Sequence, residues 1–492
     1  MAQQVILAID EGTTNAKAVC INQDGQIISH GSHPVGIAYP RSAWSEQDPM
    51  EIIAAVRAAI EAALSSTIVD VQAIAISNQR ESVLIWDRQT GEPLTPVVSW
   101  QCRRSAGFCS ELSKSAKADV VQAKTGLPID PLFPAAKIHL LLNDIEQGRE
   151  KARQGQLCIG TVDTWLVWQL TNGQEFVTDP ANASRTQLYN IHQQAWDAEL
   201  LEIFDIPEPA LAKVLPSAAE RGHTQGFAGV PDGVPILSQI GDSHAALYGQ
   251  GGFMPGVIKA TYGTGSSLMT PVTDISGEDY RLGKTIAWHD GILTYALEGN
   301  ITHTGAGVAW MSRMLGISDL DQLTHMAASE PDNRGVYFVP ALSGLGAPHW
   351  QSEARGLITG LTDYSTPATL ARAALESIAY QIADVFYLME NMSGNSLEAL
   401  LVDGGPTKSK WLMQFQADLL QRPVIRSKTA EVSALGAGYL AGKALGWWQD
   451  RAQLAALVRN VEIIEPKGDM ETLRAAYDGW KDAIARTLYT PQ

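Results

Sequence analysis

The sequence contains few cysteines and little positive charge. Only four of its 492 residues are cysteine (Cys20, Cys102, Cys109 and Cys158), and no two of them form a CxxC pair. This excludes a disulfide scaffold and predicts buried or idle thiols in a reducing compartment. Lysine and arginine number 36 against 53 aspartates and glutamates, a formal net charge of −17. With no basic block, we expect no nucleic-acid or anionic-membrane surface, although a local basic pocket for an anionic ligand stays open.

Long hydrophobic runs are also absent. No stretch approaches the ~18 apolar residues of a transmembrane helix, and the first twelve residues lack the basic and apolar regions of a secretory signal. We therefore predict a cytoplasmic protein without a membrane partner. The composition is 45% hydrophobic and 18% charged, which suits a globular protein with a sizeable core and excludes a mostly disordered, fibrous or coiled-coil chain. The length is compatible with two large domains.

Strand and helix patterns alternate along the chain, which predicts an α/β fold. Residues 5–10 form a short apolar run typical of a covered strand, and a hairpin follows across the Asp24-Gly25 turn dipeptide. A helix is predicted to begin at Pro49, with Asp48 as its N-cap. Strand patterns then return after the helix.

A glycine-rich stretch, Gly249–Gly256, marks the best domain boundary. Beyond it the pattern restarts with a second strand hairpin that again contains a Gly-Thr turn. We predict two domains, residues 1–250 and residues 251–492. The similarity between the two hairpins is too weak to define a sequence repeat, but it predicts matching turns in the two halves.

The first motif with evident chemistry is Asp10–Lys17, with sequence DEGTTNAK, directly after the first strand. Glycine allows close backbone approach to an anion, and N–H groups together with the hydroxyls of Thr13 and Thr14 can surround phosphate oxygens. Lys17 can neutralise charge, and Asp10 is placed to hold Mg²⁺ through water molecules. The alternative interpretation is a tight hairpin with threonines in its strands.

Two further glycine turns follow in the second half. Tyr262–Ser267 (YGTGSS) is the matching hairpin, and a phosphate turn in each domain is what a two-domain clamp around ATP needs. Val402–Pro406 (VDGGP) places a Gly-Gly turn between an apolar strand and a helix, where it could lie against an adenosine group. Any Gly-Gly turn would look similar, so this third motif is not specific on its own.

DxGTT, GTG and DGG in this order resemble the nucleotide-binding elements of the actin-like ATPase superfamily. Longer strings resemble the FGGY carbohydrate kinases, and among these the glycerol kinases. The matches run in order from about residue 5 to about residue 448. The strings are Ser77–Glu81, Ser99–Arg104, Gly160–Trp165, Asp179–Thr186, Gly344–Trp350 and Leu375–Gln381.

This resemblance implies two ribonuclease-H-like (actin-like) domains with a cleft between them. It assigns acceptor contact to Arg80, Glu81 and Trp100. A buried guanidinium and carboxylate offer donors and acceptors to adjacent hydroxyls, and the indole supplies an apolar wall. It assigns the catalytic base to Asp242, which also contacts the acceptor and the metal. His244 is the weaker alternative base, since Asp242 holds the matched position.

Several matched positions depart from the glycerol-kinase pattern. Ser243 and His244 stand where two glutamines are usual, Leu132 where tyrosine is usual, and Ser267 where phenylalanine is usual. The loss of aromatic walls and the gain of a hydroxyl suggest a roomier and more polar acceptor pocket. We therefore consider an acceptor larger than glycerol, such as a four- or five-carbon polyol or ketose.

The same resemblance implies a nucleotide site with its own departures. Lys17, Ala309 and Ser409 replace the usual arginine, glutamine and asparagine. The implied ATP-binding residues are Thr13, Thr14, Lys17, Thr264, Gly305, Val308, Ala309, Gly405, Pro406 and Ser409, and the implied Mg²⁺ residues are Asp10 and Asp242.

These observations predict an ATP- and Mg²⁺-dependent kinase that phosphorylates a hydroxyl of a small polyol or sugar. Glycerol is the leading acceptor, and a polyol or ketose of the erythritol, xylulose or ribulose type is the alternative. A homodimer or homotetramer is expected. An actin-like ATPase that acts through a protein partner is the alternative of a different class, but it leaves the acceptor-pocket strings without a role.

Overall fold

The computed structural model describes residues 2–253, 256–457 and 459–489, which form two compact units. The first unit comprises Met1–Phe253, Gly283–Ala296 and Glu431–Val458, and the second comprises Met254–Leu282, Leu297–Ala430 and Arg459–Gln492. Two later segments of the chain therefore belong to the first unit, which the sequence pattern did not indicate. The simple division at residue 250 remains a prediction.

Strands and helices alternate as expected. The strands are β1 Gln3–Glu11, β2 Asn15–Ile21, β3 Ile27–Pro34, β4 Glu46–Gln47, β5 Val69–Asn78, β6 Val83–Asp87, β7 Val97–Val98, β8 Leu157–Thr161, β9 Val177–Thr178, β10 Tyr189–Asn190, β11 Ala195–Trp196, β12 Lys213–Val214, β13 Ile236–Gly241, β14 Val257–Tyr262, β15 Ser266–Val272, β16 Gly283–His289, β17 Leu293–Ile301, β18 Tyr337–Val339, β19 Leu357–Thr359, β20 Ala399–Gly404, β21 Val424–Ser427 and β22 Val461–Ile464.

The helices are α1 Pro49–Ser65, α2 Ala106–Leu112, α3 Lys117–Thr125, α4 Pro134–Asp144, α5 Gly148–Arg153, α6 Val162–Leu170, α7 Pro180–Ser184, α8 Ala198–Phe204, α9 Asp242–Gly249, α10 Gly305–Met314, α11 Leu320–Ser329, α12 Pro367–Ser393, α13 Lys410–Leu420, α14 Val432–Leu445, α15 Arg451–Ala455 and α16 Met470–Leu488. Short 3-10 helices span Glu208–Ala210 and Gly405–Lys408. Among the helices in the described ranges, none has the length and apolar character needed to cross a bilayer.

The main sheet of the first unit explains why the first apolar run is fully covered. Its strand order is β13-β5-β1-β2-β3, with β1 antiparallel to β2 and parallel to β5. Residues Val5–Ile9 are completely buried, since α1 packs on one face of this sheet and α14 on the other. The carboxyl ends of β1, β5 and β13 share one edge, where Asp10 pairs in register with Ser77 and Asn78 pairs with Gly241. Parallel α/β sheets bind their ligands at this edge.

The predicted start of α1 is confirmed. Asp48 lies in extended conformation, and its carboxylate accepts hydrogen bonds from the backbone N–H groups of Met50 (2.7 Å) and Glu51 (3.2 Å). Pro49 occupies the first helical position, where a missing N–H costs nothing. The apolar side of α1, including Ile52 and Val56, is buried in the core.

The predicted restart after the glycine-rich stretch is confirmed as a second hairpin. Strands β14 and β15 are antiparallel and connected across Gly263–Gly265. β20 lies parallel to β14, β21 lies parallel to β20, and β22 lies antiparallel to β21. An antiparallel hairpin flanked by parallel strands therefore opens both units, and both Gly-Thr turns lie at the carboxyl end of a central strand.

All four cysteines are free and buried, as predicted.

Asp290, between β16 and β17, connects the returning segments of the first unit. Its carboxylate accepts hydrogen bonds from Arg451 (2.7 and 3.0 Å) and from the Tyr248 hydroxyl (2.9 Å), and Lys443 lies 3.1 Å away. Burial alone would raise the pKa of this carboxyl, but the bonds and charges of Arg451 and Lys443 lower it to about 2. Three chain segments thus meet at one ion-pair cluster.

Replacement of Asp290 by asparagine is expected to lower the free energy of unfolding at pH 7 by about 2 kcal/mol or more, the size of the pKa shift. Because the folded-state pKa is depressed, the carboxylate stabilises the protein above its unfolded pKa of about 4, and this contribution disappears as the pH falls toward 2. Urea unfolding should therefore show a gap between wild type and D290N that narrows below pH 4. The exposed Asp24→Asn is the control, and a gap independent of pH would contradict this assignment.

Candidate active site

The first predicted phosphate turn is the tip of the β1–β2 hairpin. The Gly12 N–H donates to the Asn15 carbonyl at 3.0 Å, and the Thr14 carbonyl accepts from the Val35 N–H at 2.9 Å. Gln47 Nε2 donates to the carbonyl of Thr13 at 2.9 Å. The turn is thus held by its neighbours, while the side chain of Thr14 is exposed and that of Thr13 is half-buried.

Asp10 lies one residue before the end of β1, in register with Lys17 on β2. Ser77 Oγ donates to its carboxylate at 2.8 Å. Desolvation, the largest influence, raises the pKa of Asp10 above its usual value; Ser77 and Lys17 oppose this, and the negative charges of Asp242 and Glu431 add to it. A nearby cation would therefore favour the ionised form of Asp10.

Glu11 is completely buried beside Asp10. Burial raises its pKa to about 8. The charges of Asp10 and Asp242 raise this pKa further, whereas hydrogen bonds from Gln79 lower it. Burial therefore favours the neutral form of Glu11. This leaves less negative charge close to the predicted phosphate turn.

Asp242 begins helix α9 directly after β13. Arg80 Nε donates to its Oδ1 at 3.2 Å, and the Ser243 N–H donates to the same oxygen at 2.6 Å. Arg80 Nη2 also reaches Ser243 Oγ at 3.2 Å. The Asp242 side chain keeps 39% of its surface exposed, so the carboxylate is oriented by a guanidinium and still accessible. A Cβ on Gly241 would lie 2.5 Å from Arg80 Cγ, which explains the glycine there.

Glu81 is buried next to Arg80 and belongs to an ion-pair network that the sequence did not reveal. Arg185 Nε donates to Glu81 Oε1 at 2.6 Å, and Arg80 Nη1 lies 4.0 Å from the same oxygen. Lys137 Nζ donates to the carbonyls of Glu81 (3.3 Å) and Leu132 (2.7 Å). Burial lowers the pKa of Lys137 to about 7. Arg80 and Glu81 are thus the buried guanidinium and carboxylate that the sequence suggested.

The string Asp179–Thr186 is explained by this network. Asp179 caps the short helix α7. On that helix Asn182 exchanges two side-chain hydrogen bonds with Asn78, of 3.0 and 3.1 Å. Arg185 follows one turn later and holds Glu81, whose backbone φ of 60° lies in the left-handed region. Residues 179–186 therefore hold Asn78 and Glu81 through side-chain contacts. The sequence indicated no role for Arg185.

Trp100 contacts the predicted phosphate turn through the edge of its indole ring. Its Nε1 donates to Thr13 Oγ1 at 2.9 Å, and 37% of the residue remains exposed. The predicted apolar wall is therefore also a hydrogen-bond donor. His244, the weaker candidate for the base, is completely buried.

In the second unit the predicted nucleotide residues fall into two groups at the carboxyl ends of β14 and β20. In the first group, the turn at Gly263 and Thr264 accepts hydrogen bonds from the N–H groups that begin α10: Gly305 donates to Gly263 at 3.0 Å and Ala306 donates to Thr264 at 2.9 Å. A Cβ at Gly305 would lie 2.5 Å from the Gly263 carbonyl oxygen. Further along α10, Val308 is buried and Ala309 is half-buried.

The second group follows β20. Asp403 lies 3.3 Å from Lys259, and Gly405 and Pro406 form the 3-10 helix after the strand. Ser409 is the N-cap of α13, where its Oγ accepts the Leu412 N–H at 3.3 Å.

Ser267, predicted to contact the acceptor, lies on β15 and donates to Glu298 at 3.2 Å.

The sequence predicts Asp10 and Asp242 as the residues that would hold Mg²⁺, and the charge of Asp242 acts on Asp10. In the described residues no cluster of three or more His, Cys, Asp or Glu side chains suits a metal ion. Mg²⁺ commonly binds through one or two carboxylates together with substrate phosphates and water. The two aspartates therefore fit Mg²⁺ that arrives with a nucleotide, and they do not form a closed metal cage.

Comparison with known proteins identifies the family of this chain. Residues 5–249 match the N-terminal domain of the FGGY family of carbohydrate kinases, and residues 258–445 match its C-terminal domain. The chain belongs to this family, with its two-domain actin-like fold and its phosphotransfer to alcohol acceptors.

Individual relatives cover the whole chain. Apulose kinase of Pectobacterium atrosepticum is 56% identical over 495 residues, covering 100% of both chains. Glycerol kinase 2 of Thermotoga maritima is 44% identical over 491 residues, with 98% of each chain covered. The crystal structure of Plasmodium falciparum glycerol kinase with ADP superposes with a TM-score of 0.93 at 32% identity, covering 100% of this chain and 99% of the other.

Proposed function

We propose that this carbohydrate kinase transfers the γ-phosphate of ATP to a hydroxyl of a small five-carbon ketose of the apulose type, with glycerol as a poorer acceptor. The observation that carries the proposal is the accessible Asp242 carboxylate, oriented by Arg80 beside the buried Glu81–Arg185 pair. This arrangement provides a proton acceptor next to donors and acceptors that suit neighbouring hydroxyls.

In this reaction Asp242 accepts the proton of the attacking hydroxyl. The hydroxyl oxygen forms a bond to the γ-phosphorus, while the bond from that phosphorus to the bridging oxygen breaks and ADP leaves. Arg80 donates to the acceptor's oxygen atoms and keeps Asp242 oriented, and Glu81 accepts from a second hydroxyl. Thr13 and Thr14 donate to phosphate oxygens, and the Gly263–Gly265 turn, α10 and the 405–409 segment hold the nucleotide. Mg²⁺, held by Asp10 and Asp242, would neutralise charge on the phosphates.

Three observations favour an acceptor larger than glycerol. Leu132 and Ser267 replace the aromatic side chains typical of glycerol kinases, and Ser243 adds a hydroxyl that Arg80 contacts at 3.2 Å. The relative named an apulose kinase is 56% identical to this chain, whereas seven relatives named glycerol kinases are 42–44% identical. Apulose is a branched five-carbon ketose, which needs more room than glycerol.

A panel of acceptors tests the proposal. We expect ATP consumption that depends on the acceptor, with kcat/KM for apulose at least about tenfold above that for glycerol, since one or two additional hydroxyl contacts are worth about 1–3 kcal/mol. The paired substitution Leu132→Tyr with Ser267→Phe should shift the ratio toward glycerol. Ile138→Leu, a volume-conserving change within the first unit's core, is the control. A wild-type preference for glycerol by orders of magnitude would reject the ketose assignment.

The alternative of an ATPase that acts through a protein partner does not account for the polar acceptor residues, and it predicts ADP release unchanged by every acceptor. A homodimer or homotetramer and a cytoplasmic location remain predictions from the sequence.

A further inference from the structure

A closed ring of hydrogen bonds joins the phosphate turn to the acceptor wall in the first unit. Trp100 Nε1 donates to Thr13 Oγ1 at 2.9 Å, and its backbone N–H donates to Ser82 Oγ at 3.0 Å. Ser82 donates to Gln79 Oε1 at 2.8 Å, and Gln79 Nε2 donates to Gln47 Oε1 at 2.8 Å. Gln47 Nε2 closes the ring on the Thr13 carbonyl at 2.9 Å.

Three of the five members of this ring are buried. Gln47, Gln79 and Ser82 are each at most 2% exposed, and Gln79 Nε2 also donates to both carboxyl oxygens of the buried Glu11, at 3.1 and 3.2 Å. A buried polar group left without its partner costs about 1–3 kcal/mol, so the two glutamine amides are held in one orientation. The ring connects Thr13 to Trp100 through these buried side chains, while the Trp100–Thr13 bond itself lies at an exposed position.

The direction of the bond at Thr13 has a chemical consequence. An indole N–H can only donate, so this bond uses a lone pair of the Thr13 hydroxyl and leaves its proton for another acceptor. Phosphate oxygens are acceptors, and a neighbouring N–H that donates into a hydroxyl strengthens that hydroxyl as a donor. Among the described residues, no acceptor is recorded for the Thr13 hydroxyl proton.

We propose that Trp100 is a positioning residue for the nucleotide: its indole N–H orients the Thr13 hydroxyl to donate to a phosphate oxygen of ATP. This inference rests on the proposed function, in which Thr13 faces the phosphates and the ring face of Trp100 contacts the acceptor. One side chain would then act on both substrates, through its face on the acceptor and through its N–H on the nucleotide.

The test separates these two actions. Trp100→Phe keeps an aromatic face but removes the N–H, so it should reduce kcat/KM for ATP about tenfold, the effect of a hydrogen bond of about 1.4 kcal/mol, while KM for the acceptor stays within about twofold. Thr13→Val should reduce kcat/KM for ATP at least as much. The double variant should be no worse than Thr13→Val alone, because Trp100 acts through that hydroxyl.

Trp196→Phe is the matched control, since it removes a comparable indole hydrogen bond, 2.9 Å to the Ala212 carbonyl, elsewhere in the first unit. It should leave kcat/KM for ATP unchanged. Thermal unfolding of every variant identifies losses that are due to misfolding. Losses that add fully in the double variant, or an effect of Trp100→Phe confined to KM of the acceptor, would overturn the inference.

Binding of a non-hydrolysable ATP analogue, measured calorimetrically with Mg²⁺ and without acceptor, distinguishes failure of the ring from failure of the proposed function. Weaker binding to Trp100→Phe, by about tenfold, supports the ring even if neither apulose nor glycerol is phosphorylated. Equal binding to wild type and Trp100→Phe, together with an unchanged kcat/KM for ATP, rejects the ring and leaves the kinase activity intact.

Discussion

Replacement of Asp242 by asparagine will reduce kcat by about 10³-fold, within the 10²- to 10⁴-fold range of general-base catalysis. Asparagine has the same shape, and its amide oxygen can still accept from Arg80 Nε and the Ser243 N–H, which now bond to Oδ1 at 3.2 and 2.6 Å. The amide cannot take up a proton from a hydroxyl. The loss should therefore be in kcat, with KM for the acceptor changed by less than about tenfold.

The measurement is steady-state kinetics on the best acceptor of the panel, with ADP release as the readout. Asp319→Asn is a matched control: Asp319 caps α11 with its carboxylate, and asparagine caps a helix about as well. Because Asp242 is also proposed to bind Mg²⁺, activity must be compared at saturating Mg²⁺. A kcat within about tenfold of wild type would show that another group accepts the proton.

The second large effect is expected at Arg185. Replacement by methionine leaves the buried Glu81 carboxylate without its closest partner, now at 2.6 Å, with Arg80 only at 4.0 Å. Removal of one member of a buried ion pair typically costs about 3–5 kcal/mol. We expect a loss of that order in the free energy of unfolding and a fall of about 10²-fold in kcat/KM for the acceptor, since one buried, charged hydrogen bond to a substrate hydroxyl is worth about 3 kcal/mol.

A second substitution separates stability from recognition. In an Arg185→Met background, Glu81→Gln removes the uncompensated charge, so much of the unfolding free energy should return while kcat/KM for the acceptor stays low. Arg153→Met is the control, because Arg153 forms an exposed ion pair with Glu150 that contributes little. If Arg185→Met changed neither stability nor KM, Arg185 would not be what positions Glu81.

Local structure was predictable wherever neighbours in sequence decide it. The N-cap Asp48 followed by Pro49 specifies the start of α1, because the groups that satisfy its first N–H groups lie within three residues. The two Gly-Thr turns were predictable for the same reason. So were the strand ends that carry Asp10 and Asp242. Their chemistry depends on local backbone geometry and on residue type.

Contacts over long distances in the chain were not predictable in this way. Arg185 lies 104 positions from Glu81, and Trp100 lies 87 positions from Thr13. Which of the chain's many arginines meets Glu81 depends on the placement of α7, and no local pattern encodes that. Asp290 likewise joins segments that only the tertiary structure brings together.

The amino-acid sequence by itself determined the alternation of strands and helices and the turns, and its resemblance to carbohydrate kinases predicted which residues would contact phosphate, proton and hydroxyls. Periodicity, capping and side-chain chemistry are properties of neighbouring residues, so they can be read without a fold. Only the tertiary structure decided which side chains contact Glu81, Asp242 and Thr13. Those partners depend on strand register and helix packing, which arise from the whole chain at once.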